Sequence, residues 1–188
     1  KTGGVDMTTK INAGDGARAL QQARVSESYR AGTPVGQVIS RTLQALQLDP
    51  GNALATAQRL AGEFSAGYVQ HGPAAAELSR LLEPRGLEWS VQDGRIELLE
   101  VGGTLPEVGP LLSPDTGLIG APQLGSPAEK GTPSYLKVRS LLQPGIRPGQ
   151  RFRLESSSHA GSFRAVKVTH TGDTHGGDWY TDLEALPL

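Results

Sequence analysis

Gly161-Ser-Phe-Arg-Ala-Val-Lys-Val-Thr-His170, with the following Thr171-Gly-Asp-Thr-His-Gly-Gly-Asp-Trp-Tyr-Thr-Asp-Leu-Glu-Ala-Leu186, decides how the C-terminal half folds. Phe163, Ala165 and Val168 mark an apolar-rich run. A polar, glycine-loaded tip interrupts it, and Trp179 to Leu186 returns. Two such runs around Gly, Asp and Thr read as an antiparallel β-hairpin whose loop is longer than two residues.

Upstream, Arg151 to Glu155 alternates with Phe152 and Leu154 inward, and Tyr135, Lys137 and Arg139 alternate with Leu136, Val138 and Ser140. Pro144-Gly-Ile-Arg-Pro-Gly149 is a turn cluster between them. Residues 135–188 therefore predict a β-barrel-like domain of about four strands. Residues 101–134 are rich in Gly and Pro and almost without periodicity, which reads as a linker or an ordered crossover. Within them, Gly117-Leu-Ile-Gly120 is a short apolar patch that could pack into a sheet.

Residues 33–100 read as a helical layer on a β-hairpin. Thr33-Pro34 predicts a helix start, with Thr as cap and Pro at the first helical position. Val35, Val38, Ile39, Leu43 and Leu46 then fall on one helical face, and Leu48-Asp-Pro-Gly51 ends it. A second helix is expected from Ala53 to Ser65, burying Leu54, Ala57, Leu60, Ala61 and Phe64, with Gly67 as its left-handed stop. Tyr68-Val69-Gln70 reads as a short extended piece. His71-Gly72-Pro73 opens a third helix along Ala74, Leu78, Leu81 and Leu82, which Pro84-Arg-Gly86 stops. Leu87, Trp89 and Val91 alternate toward Asp93-Gly94, a two-residue hairpin turn, and Ile96, Leu98 and Leu99 return.

Residues 1–32 are mostly polar. Val5, Met7, Thr9 and Ile11 alternate weakly, Asn12 to Gly16 is a turn, and Ala23, Val25, Glu27 and Tyr29 share one face of a strand. The segment reads as strands belonging to a sheet completed elsewhere. The fold class expected is α+β.

Composition narrows function. The 188 residues are 37% hydrophobic, below the usual globular share, and 25 Gly with 13 Pro favour turns and short strands. A net charge of -1 gives no global field toward nucleic acid or an anionic membrane. Without cysteine there are neither disulfides nor thiolate metal sites. No apolar run approaches the roughly 20 residues that span a bilayer.

His170, Asp173, His175 and Asp178 are the sharpest candidates for a metal site, because imidazole and carboxylate are competent ligands and a Gly-rich loop can fold around an ion. Their spacing matches no standard zinc pattern, and turn chemistry explains the same residues. Nucleophilic catalysis lacks a Gly-x-Ser-x-Gly elbow, and Ser156-Ser-Ser158-His159 reads as a solvated loop. No spacing singles out an acid/base pair among Glu77, Glu83, Glu88, Asp93 and Glu97. Neither phosphate-binding glycine loop is present. No catalytic, cofactor-binding or metal-binding residue is expected, and no enzyme. Trp89 and Trp179 suit a core edge or an interface. Arg139, Arg147, Arg151, Arg153, Arg164 and Lys167 gather in the β half and could face the carboxylates of a neighbouring subunit or a negatively charged lumen content.

The run Gly161-x-Phe-Arg-x-x-Lys-Val-x-His170-x-Gly-Asp-Thr-x-Gly-x-Asp-Trp179 resembles the C-terminal end of baseplate hub proteins of Mu-like contractile-tailed phages, the late control protein D-like family. Gly14-Asp-Gly16, Ala23-Arg-Val25, Gly32-Thr-Pro-Val35, Gly67 to Gly72, Gly86 to Gly94, Ser113 to Gly120 and Ser140 to Gly149 are similar to successive stretches of that family in the same order. The resemblance implies a virion structural protein, a hub at the distal end of the tail tube. Its partners would be further copies in a homotrimeric ring, the tail tube protein, the central spike and other baseplate proteins, with DNA only passing through the lumen and no membrane. Residues 135–188 would be a tube-type barrel, residues 33–100 a smaller bracing domain, and residues 1–32 the tail of a preceding barrel. The first barrel itself is missing, and the start at Lys1 without Met suggests a piece of a longer or processed chain. A carbohydrate- or peptide-binding envelope module, using Trp179 and Tyr180, and a tail-associated cell-wall hydrolase are the alternatives.

Overall fold

A computed structural model describes residues 16–125, 134–173 and 176–188, which divide into two compact units between Leu98 and Leu99. The expected alternation of Val5 to Ile11 and most of the Asn12 to Gly16 turn lie outside the described residues. The α+β class holds.

The first unit contains α1 (Ala17–Gln22), β1 (Arg24–Tyr29), α2 (Val35–Leu46), α3 (Ala53–Arg59), β2 (Tyr68–Pro73), α4 (Ala74–Leu82), β3 (Leu87–Gln92) and all but the last two residues of β4 (Arg95–Glu100). The stripe Val35, Val38, Ile39, Leu43 and Leu46 is buried and meets Leu78, Leu81 and Leu82 of α4 and Ile96 and Leu98 of β4 in one core. Asp93 and Gly94 both have positive φ (54° and 74°), as the expected two-residue turn of β3 and β4 requires.

Three boundaries depart from the sequence reading. Pro34 is the N-cap of α2 and not its first residue, and no side chain caps the helix. Thr33 Oγ1 instead donates to the Arg30 carbonyl, and the Val35 N–H is satisfied by the Gly62 carbonyl at 3.1 Å. The cap is therefore tertiary. For the same reason α3 ends at Arg59 and not at Ser65: residues 62–64 run back along the loop before α2, where Phe64 N–H donates to the Thr33 carbonyl and Gly32 N–H to the Phe64 carbonyl. Leu60 and Phe64 still pack on the core, but from a loop, and the left-handed glycine is Gly62 (φ 101°), not Gly67.

The third departure concerns residues 16–32. A short helix precedes β1, and β1 pairs antiparallel with β2 through the register Val25↔Gly72 and Tyr29↔Tyr68. Val25 is buried in the same core as α2 and α4. The strand expected to complete a sheet elsewhere thus finds its partner inside this unit. His71 lies in β2, and α4 starts after it.

The second unit is a curled six-stranded sheet of β5 (Val108–Leu112), β6 (Leu118–Gly125), β7 (Tyr135–Leu141), β8 (Arg151–Glu155), β9 (Ala160–Gly172) and β10 (Trp179–Pro187). Its order is β5-β8-β9-β10-β7-β6; β5 and β8 are parallel and the other pairs antiparallel. The four strands expected after Tyr135 are present. The stretch 101–134 supplies two more, so it is no mere linker: Leu112 is buried in the core and Leu118 packs against it. Its Gly and Pro residues had masked any period two.

Phe152, Leu154, Phe163, Ala165, Leu183 and Ala185 form the heart of this second core. The parity of β9 changes partway, because Glu184 faces Lys167 while Ala185 faces Ala165. Val166 is the extra residue of a β-bulge and is 44% exposed. The bulge explains why Phe163 and Ala165, and then Val168, can all face the same core. Among the described residues no helix is long and apolar enough to cross a membrane.

Candidate functional site

Alternation in β7 sends Leu136, Val138 and Ser140 into the core and leaves Tyr135, Lys137, Arg139 and Leu141 on the outer face. Pairing then fixes which charges meet. Lys137 and Lys167 both stand opposite Glu184, from either side of β10, and Arg139 and Thr169 stand opposite Asp182. The Arg139 guanidinium grips Asp182 with both arms, Nε to Oδ1 at 2.7 Å and Nη2 to Oδ2 at 3.0 Å, and lies 5.4 Å from the Tyr180 ring centroid. The hydrogen bonds and charge of Asp182 raise the Arg139 pKa above its ordinary value. Lys167 Nζ is 3.6 Å from Glu184 Oε1. Lys137 sits 5.8 Å from the Tyr135 ring centroid and makes no ion pair among the described residues.

Strand β6 covers one side of this face. Ile119 pairs with Arg139 and Gln123 with Lys137, so three residues of β6 span the place of one on β7. Gly120 takes the positive φ (67°) that lets the backbone arch outward. Between arch and sheet lies a cleft of about 520 Å³, lined among others by Ile119, Gln123, Lys137, Arg139, Lys167 and Glu184. Its chemistry is that of a binding surface. It carries three cations, two carboxylates, an amide and the Thr169 hydroxyl.

The remaining candidates are scattered. At the end of the β9–β10 hairpin, His170 Nδ1 is 3.0 Å from Oγ1 of the buried Thr181, its partner across the ladder. His175 lies outside the described residues, and among those described no group of three His, Asp or Glu side chains is arranged to hold a metal ion. Ser156 and His159 close a turn on themselves, Ser156 Oγ donating to the His159 carbonyl and accepting from the His159 N–H. Glu77 is buried on α4 and paired with Arg80 at 2.7 Å, while Glu83 follows that helix and Glu88, Asp93 and Glu97 belong to the β3–β4 hairpin. Neither the outer cleft nor the cavity beside α1 is lined by any of these carboxylates.

Trp89 is a core-edge residue, its Nε1 donating to Ser79 Oγ at 3.0 Å. Trp179 is 45% exposed and covers Gly172, where a Cβ would meet the indole at 2.8 Å. No family model matches the sequence, and no curated protein matches it significantly. Function therefore rests on the chain's own surfaces.

The basic residues of the β half do not form one patch. Arg139 and Lys167 line the cleft, Arg153 pairs with Glu155 at 2.9 Å, and Arg151 stands opposite Arg164 in the β8–β9 ladder. Gln123, Lys137, Asp182 and Glu184 are cleft residues that sequence reasoning did not single out as candidates. Lys137 was legible as an outward residue of β7. Its place beside Gln123 and opposite Glu184 needed the pairing of β6, β7 and β10, which no local pattern carries.

Proposed function

We propose that this chain is a structural component of a contractile phage or phage-derived tail, a baseplate hub that joins the tail tube to the central spike in the virion. The ordered resemblance of its motifs to Mu-like hub proteins supports the reading, and so does the curled sheet of the second unit. The observation that carries it is apolar exposure on both edge strands: Val108 (62%) and Leu111 on β5, and Leu124 (74%) on β6. Edges that differ from one another match head to tail, and a head-to-tail contact repeated by rotation closes a ring.

Contact at these edges would run through side chains. Pro110 in β5 and Pro122 in β6 carry no N–H, and β6 is arched, so continuous strand pairing across either edge is disfavoured. The activity is assembly into a homotrimeric ring that meets tube and spike on its two faces, and not turnover. Because the chain has no cysteine, Val108→Cys combined with Leu124→Cys introduces a unique pair of thiols. Oxidation should give covalent dimers and trimers and nothing larger. Exclusive recovery of monomer at high concentration, with and without the spike, would count against the proposal.

A further inference from the structure

We infer that the cleft between the β6 arch and the outer face of the second unit receives an extended peptide segment of a partner protein, anchored by a carboxylate side chain. The inference stands on the cleft alone and does not depend on the hub reading. Three features carry it. First, three cations, Lys137, Arg139 and Lys167, line the cleft with two carboxylates, Asp182 and Glu184, an excess of one positive charge among the lining residues, while Asp178 acts on Arg139 from outside the cleft.

Second, that surplus has an address. Arg139 is held by both oxygens of Asp182 and Lys167 leans on Glu184, whereas Lys137 meets only the Tyr135 ring among the described residues. An incoming carboxylate gains a cation there without breaking a pair. Third, the arch removes Gly120 and Ala121 from the β6–β7 register, so their main-chain groups are not used in that ladder and border the cleft. An extended backbone can hydrogen-bond such groups while its side chains alternate, one toward Lys137 and the next toward Ile119.

The same features disfavour other occupants. Asp182 and Glu184 beside the cations repel the closely spaced phosphates of a nucleic acid. Among the described residues no aromatic ring lines the cleft to stack on a sugar face, since Tyr135 and Tyr180 lie beneath Lys137 and Arg139 outside it.

The test is a titration of the full chain, followed by amide chemical shifts, with acetyl-Thr-Glu-Thr-amide, its Gln analogue, sodium acetate and glucuronate at low ionic strength. The Glu peptide should shift the amides of Ile119, Gly120, Ala121, Gln123 and Lys137. It should bind about two- to fivefold more tightly than the Gln analogue, the range of one exposed charge pair, and salt should erase the difference. Lys137→Gln should remove the preference while Lys137→Arg retains it. Equal binding of the Glu and Gln peptides, shifts spread over other surfaces, or acetate or glucuronate binding as tightly as the Glu peptide would each overturn the proposal.

Discussion

Gln70 Nε2 donates to Thr42 Oγ1 at 2.8 Å, and both side chains are wholly excluded from solvent. Thr42 Oγ1 in turn donates to the Val38 carbonyl at 2.9 Å, and the Tyr29 hydroxyl donates to Gln70 Oε1 at 3.2 Å. One polar chain thus links β1, β2 and α2 through the middle of an apolar core. Thr42→Val keeps the volume but leaves the Gln70 amide buried without its acceptor, and should cost ~1–3 kcal/mol in urea denaturation. Gln70→Met alone should also destabilise, and the double variant should lose less than the two losses added. Strict additivity would mean that the two groups do not act together.

Asp49 fastens the end of α2 to the β3–β4 hairpin. Its Oδ1 accepts the Gly51 N–H at 2.9 Å and its Oδ2 the Arg95 Nε at 3.1 Å. The backbone bond from Gly51 is the main cause holding its pKa below the usual value, with Arg95 adding to it. A depressed carboxylate stabilises the fold above its unfolded value and loses that contribution as pH falls through its folded value. Asp49→Asn should therefore have the lower denaturation midpoint near neutrality, and the two curves should converge in acid below the ordinary carboxylate range. A constant difference across that range would contradict the assignment.

Gly36 shows packing defeating helix propensity. Ala is favoured over Gly by about 1 kcal/mol in an open helix interior. A Cβ at Gly36 would run into the Ala57 carbonyl oxygen, which belongs to the backbone and cannot swing away. Gly36→Ala should push α2 from α3 and cost ~1–3 kcal/mol net. A stabilised variant in chemical denaturation would show that the helices have room to part.

The bulge at Val166 makes a sharp contrast between two single-residue deletions. Removing Val166 regularises the ladder and still leaves Phe163, Ala165 and Val168 on one face, so circular dichroism should show an intact sheet. Removing Arg164 sets Phe163 next to Ala165 and drives one of them out of the core. Losing the buried Phe163 ring should cost about 3 kcal/mol or more. Equal melting temperatures for the two deletions would argue against the bulge as the source of the parity change.

Much of this molecule is legible in its residues. Phe152 and Leu154, Leu136 and Val138, and the α2 stripe all face inward as their spacing requires, because burial on one face forces period two or 3.6 on the sequence. The limits fall where a distant segment supplies the hydrogen bonds. The Gly62 carbonyl caps α2 and residues 62–64 end α3 early, and neither event leaves a local mark. Strand β5 contains Gly109 and Pro110, and β6 contains Gly120 and Pro122, so their alternation is erased and the six-stranded sheet looked four-stranded. The cleft escaped for that reason. It needs the β6 arch, and only its Lys137, Arg139 and Lys167 side showed in the alternation of β7 and in the charges of β9.

The most direct measurement is the mass in solution by light scattering over a concentration series, for the chain alone and then with the spike protein that the hub proposal assigns to it. A ring built through the β5 and β6 edges should appear as a trimer, or as a monomer that the spike drives into a threefold complex, and Leu124→Asp should abolish either. A monomer that stays a monomer at high concentration, whether or not the spike is present, would contradict assembly as the function of these edges.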